Sequence, residues 1–231
     1  MKKIGILLIT VFASLLTSNA YATWSIVAVD RSTGEIGIVG ASCTFDVQGI
    51  ASVVPDKGAI VVQAASDYFA RMKGVGLMEK GASPIEIINA IRDERFKPER
   101  QQYGVVILNK ETLPLVHSGT SIKGWSGSKI DKDFAVLGNI LVSELVVKNA
   151  FDTFNKNRDS SLSERLMLAL TAGEQAGGDK RCGTQYARSA FISVYDPKDG
   201  AINKISVHGI ELGGQPAVQL LNKKFARLKI K

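Results

Sequence analysis

Few residues in this chain have the type and spacing to do chemistry. Two histidines, His117 and His208, and two cysteines, Cys43 and Cys182, lie far apart in sequence. None has the close ligand spacing of a zinc site. Both histidines sit in strand-like text, where a structural role is expected. No GxSxG turn joins a strand to a helix. Neither a P-loop nor a dinucleotide fingerprint occurs. No metal and no cofactor is therefore expected. The remaining candidate is Thr23, which directly follows Ala20-Tyr21-Ala22. Cleavage after Ala22 would free the Thr23 α-amine beside the Thr23 hydroxyl. That amine, with an ordinary pKa of ~7.7–8.0, can act as the built-in base of a threonine nucleophile.

The cleavage itself is legible. Lys2 and Lys3 precede an apolar run from Ile4 to Leu16, and polarity rises through Thr17, Ser18 and Asn19. A charged start, an apolar stretch and a small-x-small close form a secretory leader. A membrane span needs ~20 apolar residues, and no stop-transfer charges follow this shorter run. The reading is a signal peptide over 1–22, a single domain over 23–231, and a periplasmic or secreted protein.

Removing 22 of the 231 residues leaves 209, enough for one domain with a real core. The leader takes two of the 29 basic residues, leaving 27 against 22 acidic ones, or +5. That charge is dispersed. Even its densest cluster, Arg92 to Arg100, is mixed with Asp and Glu, unlike a nucleic-acid footprint. The expected partner is a small-molecule or peptide-like substrate, with no nucleic acid and no integral membrane segment after processing. A homo-oligomer is compatible with the composition. In an oxidising compartment two cysteines are expected to form one disulfide.

The elements that must hold Thr23 follow. Trp24 to Asp30 and Ile36 to Ala41 read as a hairpin, so Thr23 leads straight into a strand. Further strands are expected at Ala51 to Val54 and Ala59 to Ala64. A helix follows between Ser66 and Lys80. Ser83-Pro84-Ile85-Glu86 opens another as a capping box, with Ile85, Ile88 and Ile91 on one face. Strand text returns at 103–109 and 113–118. A Gly/Ser/Lys-rich stretch then runs to a short strand, Phe134 to Leu137, which ends in Gly138-Asn139. Ser143 caps a helix bearing Val147, Ala150, Phe151 and Phe154. Ser161 to Glu164 is a second capping box. A hairpin of Ala190 to Asp196 and Ile202 to His208 precedes a last helix around Ala217 to Leu228. Strand runs divided by helix pairs suggest sheet on sheet with helices outside, an α+β domain.

TWSIVAVDRSTGEIGIVGAS resembles the start of the DUF1028 family, placed among the Ntn (N-terminal nucleophile) hydrolases. QYGVVIL, HSGTS, GWSG, FAVLGNIL and AGGDKRCG extend the resemblance over nearly all of the mature chain. It implies a four-layer αββα sandwich. It also implies site roles by topology. Thr23 would be the nucleophile, with Ser42 as an orienting residue at the end of the second strand. Lys57 would tune the nucleophile, Asn139 would meet the amine, and Asp179 would lie in the loop after the fourth helix. Backbone N–H groups of Ala64 and Ala65 would form the oxyanion hole. Cys43 and Cys182 fall in the same zones, so a Cys43–Cys182 bridge is expected. The function implied is an exported amidohydrolase. The alternative is a binding module for cell-wall peptide or glycan, which would need no free Thr23 amine.

Overall fold

The computed structural model describes residues 22–108 and 112–228. Of the expected leader, residues 1–21 lie outside the described residues. The described residues form an α+β domain of two antiparallel sheets and five α-helices. No helix among them is long and apolar enough to cross a membrane.

The six-stranded sheet has the order β10-β9-β2-β1-β8-β7. Its strands are β1 (Thr23–Val29), β2 (Ile36–Ser42), β7 (Trp125–Ile130), β8 (Phe134–Leu141), β9 (Ser189–Asp196) and β10 (Ala201–Val207). The four-stranded sheet has the order β3-β4-β5-β6. It comprises β3 (Ala51–Val54), β4 (Gly58–Ala64), β5 (Gln101–Ile107) and β6 (Leu115–Ser118). The helices are α1 (Tyr68–Glu79), α2 (Pro84–Ile91), α3 (Leu145–Lys156), α4 (Leu162–Gln175) and α5 (Ala217–Leu228).

β1 is buried along its whole length, and its two faces enter different cores because successive side chains point opposite ways. Trp24, Ile26 and Ala28 pack with Val147, Leu166, Leu170 and Val218 of α3, α4 and α5. Val27 and Val29 pack with Ala59, Val61 and Val106 of the other sheet. The far face of that sheet, through Ile60, Val62 and Val105, packs on Ala70, Met78 and Ile87 of α1 and α2. Trp24 fixes the start of β1 to α4, since its indole N–H donates to the Leu170 carbonyl at 3.3 Å.

Three expected elements are corrected. β8 runs on to Leu141, so Gly138 and Asn139 are strand residues and not a turn. The Gly/Ser/Lys-rich stretch contains β7, an edge strand whose half-exposed face explains its polar text. On α2 the buried residues include Ile87, Ile88 and Ile91, while Ile85 points to solvent. Both capping boxes form: the Ser83 N–H donates to Glu86 Oε2 at 2.7 Å, and the Ser161 N–H to Glu164 Oε2 at 3.1 Å.

Candidate active site

Thr23 is the first residue of β1, and the ladder registers it between Ser42 of β2 and Asn139 of β8. Directly paired residues share a face, and this face looks toward the four-stranded sheet. Thr23, Ser42 and Asn139 are each at most 1% exposed. A small cavity of about 220 Å³ opens on Thr23 and is lined also by Thr44, Asp46, Gly49 and Ser66.

Beneath Thr23 a chain of buried amides joins the sheets. Gln63 of β4 accepts from Ser25 Oγ at 2.8 Å. Its Nε2 donates to Gln102 Oε1 at 2.8 Å, to Asn139 Oδ1 at 3.1 Å and to the Thr23 carbonyl at 3.4 Å. Gln102 Nε2 in turn donates to Ser118 Oγ at 2.9 Å. The amide atoms named here all have partners, as buried polar groups require. The network holds the backbone around Thr23 against the second sheet.

Above Thr23 lies a charged clasp. The Ala22 carbonyl, which belongs to the Ala22–Thr23 peptide, accepts from Ser42 Oγ at 2.5 Å and from Arg181 Nη2 at 3.1 Å. Arg181 is gripped by Asp179, with Nη2 to Oδ2 at 2.7 Å and Nε to Oδ1 at 3.1 Å. Such a two-point pair fixes both position and direction of the guanidinium. Asp179 is fully buried and also accepts the Cys43 N–H at 2.6 Å and the Arg181 N–H at 2.9 Å. Gly177 and Gly178, at φ +111° and +53°, end α4 and turn the chain so that Asp179 reaches back to β2. The Cys43–Cys182 disulfide, with Cα atoms 5.6 Å apart, ties the same loop to the end of β2.

The model of a family described as "Family of unknown function (DUF1028)" matches residues 23–212. The chain belongs to the DUF1028 family. A crystal structure of a DUF1028 protein from Silicibacter pomeroyi superposes with a TM-score of 0.77 at 21% identity. The match covers 91% of this chain and 90% of that one, and it shows a shared fold. No curated protein sequence matches.

In this DUF1028 chain the structure gathers Thr23, Ser42, Asn139 and Asp179 with the disulfide. It separates others. Lys57 is an exposed turn residue at the far end of β4 from Gln63. Six strand residues at ~3.3 Å each put it about 20 Å from the Thr23 region, so it does not join the site. Ala65 also fails as an oxyanion donor, because its N–H is spent on the Arg100 carbonyl at 3.1 Å. Ala64, at φ +68°, precedes it, and ladder alternation turns the Ala64 N–H away from β5. His117 stands apart from the site and stacks on Tyr103 with ring centroids 5.4 Å apart.

Three further residues join the candidate site: Gln63, Gln102 and Arg181. The two glutamines sit inside the apolar strand runs AIVVQA and QYGVVIL or at their edge, where a lone polar residue on a buried face signals an internal network. Arg181 stands two residues from Asp179 in AGGDKRCG, the spacing at which a loop carboxylate can hold a guanidinium.

Proposed function

We propose that this protein is an exported Ntn-type amidohydrolase whose nucleophile is Thr23, freed by removal of residues 1–22. One observation carries the reading. Thr23 opens a buried central strand between Ser42 and Asn139, and Ser42 and Arg181 converge on the peptide bond that processing would cut. The family match begins at the same residue. The packing order also supports it: three helices, the six-stranded sheet, the four-stranded sheet and two helices correspond to the αββα sandwich. The disulfide favours a periplasmic or secreted location.

In the mature chain, Thr23 Oγ attacks the acyl carbon of an amide while the Thr23 α-amine takes the hydroxyl proton. The C–N bond breaks, and the α-ammonium returns that proton to the leaving amine. Water, deprotonated by the same α-amine, hydrolyses the Thr23 ester and restores the hydroxyl. The Ala64 N–H and the Ser66 hydroxyl at the cavity are the donors we assign to the oxyanion.

Arg181 takes over the tuning role expected of Lys57. A planar amide spans ~2.2 Å from O to N, so Arg181 Nη2 lies within about 5.3 Å of the Thr23 nitrogen, given its 3.1 Å contact with Ala22 O. A cation at that range disfavours a second positive charge and keeps the α-amine in its basic form. Sequencing of the exported protein should return Thr23 first. Thr23→Ala should abolish amide hydrolysis without unfolding the domain. Full activity in that variant would refute the mechanism.

A further inference from the structure

A second cavity, of about 420 Å³, adjoins the Thr23 cavity and shares Asp46 and Gly49 with it. Its walls come from the β9–β10 edge of one sheet, β3 of the other and α1. Two cations face it, Arg71 of α1 and Lys204 of β10, together with the hydroxyls of Ser52 and Ser193.

Arg71 is the unusual member. Its Nη1 donates to Ser52 Oγ and, at 3.4 Å, to the Ala51 carbonyl. Its Nε is buried and has no partner. Burial lowers its pKa, and no carboxylate acts to offset this. The guanidinium is half-buried, lies 5.4 Å from the centre of the Tyr68 ring and has no carboxylate partner, and a partly desolvated cation without a counter-ion costs stability. Lys204 lies opposite Ser193 in the β9–β10 ladder with its side chain at the surface. The acidic lining residue is Asp46, and it also caps the Gln48 N–H at 2.9 Å.

Two cations against one carboxylate leave the cavity one positive charge, which suits a monoanion. Asp46 would repel the second charge of a phosphate dianion. The planar fork of Arg71 suits a carboxylate. We propose that this cavity holds a carboxylate carried by the substrate. The substrate class is then an amide that bears a free carboxylate several bonds from the bond to be cut. The substrate part of this inference rests on the Thr23 hydrolase reading; the anion site does not.

The test uses the mature Thr23→Ala protein, which binds without turning over. It is titrated by calorimetry with glutaramate and with glutaramide, its neutral counterpart. Glutaramate should bind saturably and at least tenfold more tightly than glutaramide. Arg71→Met and Lys204→Met should each erase that preference, and Asp46→Asn should strengthen glutaramate binding two- to fivefold. Lys204 is at the surface, so its variant remains informative if Arg71→Met misfolds. Equal binding of the two ligands, no saturable binding, or a preference that survives Lys204→Met would overturn the proposal. Carboxylate preference in Thr23→Ala beside an inert wild type would sink the hydrolase reading alone. An active wild type without that preference would sink the anion site alone.

Discussion

Arg181 donates from Nη2 to the Ala22 carbonyl at 3.1 Å, although the two residues are 159 positions apart. Every link in that contact is itself held. Asp179 grips the guanidinium at two points, Cys43 just past β2 supplies an N–H that holds Asp179, and the disulfide closes the loop. The clasp ties the peptide bond ahead of Thr23 to the far end of the chain.

Removing the cation should therefore be felt at the amine. In Arg181→Met the buried Asp179 carboxylate remains while the guanidinium is gone. Both changes favour the protonated α-amine, so its pKa rises. The acid limb of the pH–rate profile should move to higher pH, and kcat/KM at pH 7 should fall roughly 10- to 100-fold. Arg181→Lys, which keeps the charge, should restore most of the profile.

The disulfide should matter for stability. It joins residues 139 apart in sequence, and cross-links of long loops typically contribute about 2–4 kcal/mol. Cys43→Ser/Cys182→Ser, or reduction of the native protein, should lower unfolding stability by that amount in denaturant titration. The Asp179–Arg181 clasp should loosen with it, seen as faster exchange of the backbone amide at position 43, which Asp179 accepts.

Gln63 should be intolerant of apolar replacement. Gln63→Leu removes the hydrogen bonds that Gln63 makes to Ser25 Oγ, Gln102 Oε1 and Asn139 Oδ1 inside the domain, and each buried polar atom left unsatisfied costs about 1–3 kcal/mol. A loss of several kcal/mol is expected by thermal or chemical unfolding, larger than for Gln48→Leu on the partly exposed 3-10 turn.

Much of this frame is legible in the sequence, for identifiable reasons. The β1–β2 hairpin and both capping boxes are local patterns, and they form as read. β8 reads short because Gly138-Asn139 looks like a turn, whereas pairing on both sides keeps the strand going. β7 is hidden because an edge strand carries little apolar text. Lys57 fails because residue type does not tell which end of β4 faces Thr23. Gln63 and Gln102 acquire meaning only when two sheets face each other, which no window of one strand contains.

Glu174 gives a pH dependence separate from the site. Its residue is 3% exposed, its Oε1 is buried without a partner, and burial pushes its carboxyl up to about 7 from 4.5. Below pH 4.5 the group is protonated in both folded and unfolded chains and costs nothing by ionisation. As pH rises from about 4.5 to 7 the unfolded chain releases this proton first, so stability falls. Above 7 the loss levels off, at on the order of 3 kcal/mol by linkage. Glu174→Gln should flatten the stability profile between pH 5 and 7.

The central claim is that Thr23 is a nucleophile activated by its own amine. Its most direct test is labelling of the mature exported protein with a threonine-reactive β-lactone, followed by intact mass and peptide mapping. One adduct per chain on Thr23 is predicted, absent from Thr23→Ala and from a chain that retains even one residue before Thr23. A mature chain that begins at Thr23 and yet takes no label there, or a Thr23→Ala variant that hydrolyses amides as well as wild type, would contradict the account.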